Sequence, residues 1–124
     1  MTPPRPRGTH RGDPGEDLAC AHLRAAGLRI LARNYRCRAG EVDVVADDRG
    51  TVVFVEVKER GGDSHGEAVE AVTAAKRRKV VRAARLYAAL HGLSESPIRF
   101  DVVAIDWRPD GPRVSHYAGA FGED

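Results

Sequence analysis

Val53-Phe54-Val55-Glu56-Val57-Lys58 is an apolar strand that carries two ionisable groups at its far end. Successive strand side chains face opposite ways, so Val53, Val55 and Val57 share one side while Phe54, Glu56, Lys58 and Arg60 share the other. A strand this apolar on both sides belongs inside a sheet. Its neighbours in the chain indicate how that sheet is built. Upstream, Glu41 to Ala46 follows Ala39-Gly40, and the turn Asp47-Asp48-Arg49-Gly50 leads into a strand over Thr51 to Lys58. Leu28 to Arg36 reads as a looser first strand. Connections this short make the three an antiparallel meander. Downstream, a long helix from about Glu67 to His91 is closed by Gly92, and the alternating, β-branched Ile98 to Trp107 is a fourth strand. A strand, a crossover helix and another strand imply a parallel pair. Arg113 to Tyr117 adds a short edge strand. The expected class is α/β: a mixed sheet flanked by helices.

Outward from this core, Asp13, Pro14 and Gly27 bracket a first helix over Pro14 to Ala26, with Asp13 as N-cap and Gly27 as the stop. Ala19, Cys20, Leu23 and Ala26 form its apolar face, and Glu16 falls in the middle of that face. A carboxylate in the first turn suits the helix dipole, but that does not require the inward side. Residues 1 to 13 hold three prolines and three arginines with no large apolar residue after Met1, the composition of a flexible basic tail. Residues 14 to 121 form one domain, and 122 to 124 a C-terminal tail. The 124 residues suffice for a single hydrophobic core.

Twenty Lys and Arg against eighteen Asp and Glu leave a net charge of +2, so the placement of charges matters more than their sum. Apolar runs such as Val52 to Val55 fall far short of the ~20 residues a spanning helix needs. With no secretory signal either, a cytoplasmic location and no membrane partner are expected. Two cysteines, Cys20 and Cys37, exclude a disulfide framework.

Strand alternation places Glu41, Asp43 and Val45 on one face and Val42 and Val44 on the other. If the faces of neighbouring strands coincide, Asp43 and Glu56 converge with Lys58 beside them. Two carboxylates with few other ligands suit Mg²⁺ or Mn²⁺, which serve phosphoryl chemistry, and a neighbouring lysine stabilises charge developing on phosphorus. Glu16, projecting from its helix toward the sheet, is placed to contact a second metal or a bound water. The competing account is an ion-pair ladder on a solvated face.

The strings GEDLA (15–19), RNYR (33–36), GEVDVVA (40–46), VFVEVKER (53–60) and RFDVVAI (99–105), in that order, resemble the YraN-like family. That family comprises small bacterial proteins of the PD-(D/E)XK nuclease superfamily, distantly similar to archaeal Holliday junction resolvases. The resemblance covers roughly residues 12 to 121 and implies a restriction-endonuclease-like core. It implies Asp43 and Glu56 as metal-binding acids, the Val57 carbonyl as a further ligand, Lys58 as the catalytic lysine, and Glu16 as the acid that resolvase-like members carry on their first helix. His116 to Phe121 resembles the closing motif, with Gly119 where an Asn is common.

The second helix presents Val72, Val80, Ala83, Tyr87 and Leu90 as an apolar stripe. Arg78, Arg82 and Arg85 lie on the opposite side, an arrangement able to track a phosphate backbone or simply to face solvent. Lys76 projects within the stripe, toward the site or the sheet edge. Arg60 ends the acid-bearing strand face. Cys20 is a core filler. His65 sits in a Gly-rich loop, a lid or a mere connection. Asp101 shares a strand face with Arg99, as in a structural ion pair. The expected activity is Mg²⁺- or Mn²⁺-dependent hydrolysis of DNA, branched or structured, by a monomer or a homodimer. The alternatives are a nucleic-acid-binding module with little or no cleavage and an adaptor acting through a protein partner.

Overall fold

The computed structural model describes residues 13–61 and 72–123. Its elements are α1 (Pro14–Ala25), β1 (Arg29–Cys37), β2 (Gly40–Asp48), β3 (Thr51–Gly61), α2 (Ala74–Leu90), β4 (Ile98–Arg108) and β5 (Gly111–Phe121). The five strands form one sheet in the order β1-β2-β3-β4-β5, antiparallel except for the parallel β3–β4 pair. The expected α/β class, with its meander and its parallel crossover, is the fold found, and it is consistent with a restriction-endonuclease-like core. The tail over residues 1–12, the Gly-rich loop with His65 and the helical span 67–71 lie outside the described residues.

Local chemistry sets the helix ends. The Asp13 carboxylate accepts the N–H groups of Gly15 and Glu16, Pro14 opens α1, and Ala26 caps its end. Ala26 was expected on the apolar face but, as the cap, it is exposed. The Thr73 hydroxyl accepts the Lys76 N–H, so α2 starts at Ala74 and Val72 precedes it. Val72 is buried beside Val102 and Ala104 instead of joining a helical stripe. Leu90, also placed on that stripe, is 67% exposed. It lies on the flank of the face centred on Val80, Ala84 and Tyr87.

Among the described residues, one helix packs on each face of the sheet. Ala19, Cys20 and Leu23 of α1 pack on Val44, Val53, Val55, Val103 and Ile105. Val80, Ala83 and Tyr87 of α2 pack on Val42, Val45, Phe54 and Phe100. That division corrects the simple alternation expected for β2, because Val42 and Val44 face opposite helices. The break falls at Asp43. Opposite it in β1, between the pairs Arg33↔Val44 and Tyr35↔Val42, stands Asn34 with a left-handed φ of 53°. Asn tolerates that conformation better than other residues with a Cβ. Arg33 accordingly turns to α1 and Tyr35 to Tyr87, with ring centroids 5.1 Å apart.

β5 is longer than the short edge strand expected, and Asp101 ties its second half to β4. This fully buried carboxylate accepts from Arg99 Nε and Nη2 at 2.9 and 3.0 Å and from the Gly119 N–H at 2.9 Å, and lies 2.7 Å from His116 Nε2. Burial opposes its ionisation, but His116, Arg99 and the Gly119 amide outweigh burial and hold its pKa near 2. The Arg99–Asp101 ion pair expected from their shared face is present. Between the pairs Phe100↔Phe121 and Val102↔Tyr117 the ladder bulges around Asp101, and Gly119 there takes φ 62°. A left-handed position is one that Gly fills best and Asn next best.

Candidate active site

β2 and β3 pair from Asp48↔Thr51 to Val44↔Val55 and then part. Asp43 stands at the parting. Its Oδ2 accepts the Val57 N–H at 2.8 Å, a bond that a β2 carbonyl makes in an uninterrupted ladder. The N–H and C=O of one strand residue leave by the same edge, so the Val57 carbonyl is also directed to the gap between β2 and β3. Glu56, next along β3, is buried and feels the Asp43 charge directly.

The electrostatics of this pair follow from its seclusion. Burial, then the Asp43 charge, raise the Glu56 pKa from 4.5 to about 8, against the pull of Lys76. Burial likewise raises Asp43, opposed by the Val57 amide and Lys76 and reinforced by Glu16 and Glu41. Glu56 Oε1 is buried with no hydrogen-bond partner among the described residues. Glu56 Oε2 lies 3.7 Å from Lys76 Nζ, which is also 3.6 Å from Glu41 Oε1. Lys76 therefore reaches the site from the first turn of α2.

Glu16 projects inward as its position on α1 suggests and is 3% exposed. Its Oε1 accepts from Arg33 Nε at 2.9 Å and from Asn34 Nδ2 at 2.7 Å, while Arg33 also reaches Asp17 at 2.8 Å. Together with Asp13, Asp43, Val57 and Glu59 it lines a cavity of about 220 Å³ on the α1 side. Asp43 opens onto that cavity, whereas Glu56 meets Lys76 of α2. The acid pair thus straddles the sheet at the gap, which strict alternation does not provide.

The other expected residues differ in their partners. Lys58 makes no ion pair among the described residues. Arg60 is committed to Asp106, directly opposite it on β4, through bonds of 3.0 and 3.1 Å with both side chains largely buried. Two charges held in that geometry form a cross-strand tie between β3 and β4, at a residue that a nucleic-acid contact would also use. Arg78 and Arg82 are exposed, and Arg85 pairs with Glu123 at 3.0 Å. Sequence reasoning did not single out Glu41, Arg33 or Asn34 as site residues. Glu41 shares a strand with Asp43, and the other two belong to the RNYR string, so that string was the available signal. Among the described residues, no three His, Cys, Asp or Glu side chains are grouped to hold a metal ion, so the donors at hand are the two carboxylates and the Val57 carbonyl.

The fold and the site define a class: a small α/β protein whose mixed sheet holds a buried carboxyl pair where two strands part, with a lysine against it. The chain belongs to the uncharacterised protein family UPF0102, whose model matches residues 15–105 and so spans every member of this cluster. It is 48% identical over 110 residues to a UPF0102 protein of Syntrophotalea carbinolica, covering 89% of each chain. It is 52% identical over 100 residues to one of Symbiobacterium thermophilum, covering 81% of this chain and 85% of that one. No helix among the described residues is long and apolar enough to cross a membrane.

Proposed function

We propose that the protein is a nuclease of the PD-(D/E)XK type that hydrolyses phosphodiester bonds in DNA with Mg²⁺ or Mn²⁺. The observation that carries this reading is the buried Asp43–Glu56 pair with its unpartnered Glu56 Oε1. Two acids pressed together out of water repel each other unless a proton or a cation joins them, and an oxygen without a donor is what a cation's ligand set requires. A divalent ion fits this chemistry. Asp43, Glu56 and the Val57 carbonyl would hold it, and the chemistry it would supply is polarisation of a phosphoryl oxygen and easier deprotonation of an attacking water.

The chain's own residues do the rest. The Val57 amide fixes the Asp43 carboxylate, and Arg33 with Asn34 fix Glu16 at the edge of the same cavity. Lys58, without an ion-pair partner among the described residues, is free to meet charge developing on the phosphate. Branched DNA as the substrate rests on the likeness to archaeal Holliday junction resolvases. A second reading, a nucleic-acid-binding module with little cleavage, draws on the fact that Lys76 already stands 3.7 Å from Glu56 and that Arg33 and Asn34 already satisfy Glu16.

The test pairs calorimetric titration of Mg²⁺ and Mn²⁺ with cleavage of nicked, flapped and four-way-junction DNA. Asp43→Asn and Glu56→Gln should each abolish metal binding, and Lys58→Met should remove most cleavage while leaving DNA affinity nearly intact. Unchanged metal affinity in both acid variants would remove the site. Binding without cleavage on every substrate and metal would establish the second reading.

A further inference from the structure

A second cavity, of about 480 Å³, lies between the β1–β2 turn and the start of α2. That volume is within the ~300–1,000 Å³ range of small-ligand sites. Arg36, Cys37, Gly40, Glu41, Lys76 and Lys79 contribute to its walls. Among the described residues of the wall, three cations therefore face one carboxylate. Glu41 is shared between Arg36 at 3.2 Å and Lys76 at 3.6 Å, while Lys79 makes no ion pair among the described residues. A positive excess in a concave site selects an anion, and Arg with Lys is the usual set for phosphate oxygens.

Two further features give the cavity a direction. Lys76 belongs to both sites, with its ammonium between Glu41 on the cavity wall and Glu56 of the acid pair. An anion in the cavity is therefore one side chain away from the carboxylates. The rim is also firmly placed, because a Cβ on Gly40 would stand 2.5 Å from the Lys79 carbonyl oxygen, so the turn packs directly on the backbone of α2. Of the three arginines on the opposite side of α2, Arg85 is already paired with Glu123, and Arg78 and Arg82 stand exposed outside the walls of this cavity.

We infer that this cavity is the subsite for a phosphate of the nucleic-acid strand next to the one at the acid pair, held by Arg36, Lys76 and Lys79. The inference rests on the nuclease reading and names the path of the strand: over the β1–β2 turn and the first turns of α2, not along the Arg78–Arg82 face.

Cys37 supplies the assay. It is half-buried on the cavity wall, whereas Cys20 is fully buried, so a maleimide reports on Cys37. The probes are a fluorescent single-stranded oligodeoxynucleotide and inorganic phosphate, each in EDTA to prevent cleavage. The oligonucleotide should slow Cys37 labelling at least severalfold. Arg36→Gln with Lys79→Gln should abolish that protection and lower the slope of log affinity against log salt by about 0.7 per lost contact, about 1.4 for the pair. Arg78→Gln with Arg82→Gln should leave both readouts near wild type. Thermal melts confirm that these surface variants fold.

Equal affinity and slope in the Arg36/Lys79 variant, with unprotected Cys37, would overturn the subsite while leaving DNA binding elsewhere intact. Protection by phosphate but not by oligonucleotide would overturn the strand path. Failure of the nuclease reading itself appears separately, as metal affinity that ignores Asp43 and Glu56.

Discussion

Glu56 makes the stability of the metal-free protein depend on pH in an unusual direction. In the unfolded chain this glutamate ionises near 4.5, whereas in the folded protein it keeps its proton to about 8. Between those values the folded state binds the extra proton, so stability falls as pH rises. The stabilisation is complete below 4.5 and gone above 8. Every tenfold difference in proton affinity between the two states is worth about 1.4 kcal/mol, so the rise from 4.5 to about 8 sets a ceiling of about 5 kcal/mol. That is a large share of the ~5–15 kcal/mol that holds a small domain together. Urea denaturation in EDTA from pH 5 to pH 8.5 should show wild type losing several kcal/mol that Glu56→Gln retains. Mg²⁺ or Mn²⁺ at pH 8 should restore the wild type and leave the variant unchanged. Parallel stability–pH curves for the two proteins would refute the reasoning, because they would mean that Glu56 ionises equally easily in both states.

Asp101→Asn should destabilise the protein by about 3 kcal/mol at pH 7, since it leaves Arg99 and His116 facing a neutral group in a buried site. The folded pKa of Asp101 lies below its unfolded value, so its contribution is present above pH 4 and lost as pH falls toward 2. Acid titration of the variant should therefore be shallower than that of wild type in that window. Gly40→Ala should cost about 1–3 kcal/mol in denaturant, because the methyl group meets a helix carbonyl rather than a yielding side chain. Gly119 has open space around it and only its φ to satisfy. Gly119→Asn should thus be tolerated within about 1 kcal/mol and Gly119→Val should cost more, and equal melting temperatures for the two would contradict the conformational argument.

Much of the sheet was legible because β3 and β4 obey simple rules: β-branched residues, clean turns and a helix-length gap between parallel partners. The α1 cap was legible for the same reason, with Asp13 and Pro14 in adjacent places. The faces of β2 were not, because alternation assumes regular backbone and Asn34 breaks it from the neighbouring strand. Asn in a strand is the visible trace of that break, but only its ladder partner reveals that Asp43 is the residue redirected. Arg60 illustrates a second limit. Its strand position was read correctly, yet its role depends on Asp106, 46 residues away. Lys76 shows the converse, since a lysine on an apolar stripe has few destinations and the acid pair lies at the end of one of them.

The bond from the Val57 amide to Asp43 Oδ2 also equips the site with a natural isotope reporter. Every neighbouring amide of the β2–β3 ladder is shielded by backbone and exchanges its hydrogen only when the sheet opens. The Val57 amide is shielded by a side chain that is itself a proposed ligand, so its exchange follows the carboxylate rather than the strand. Deuterium uptake at that one position, in a protein whose flanking amides stay protected, would register each reorientation of Asp43 without any label, substrate or turnover.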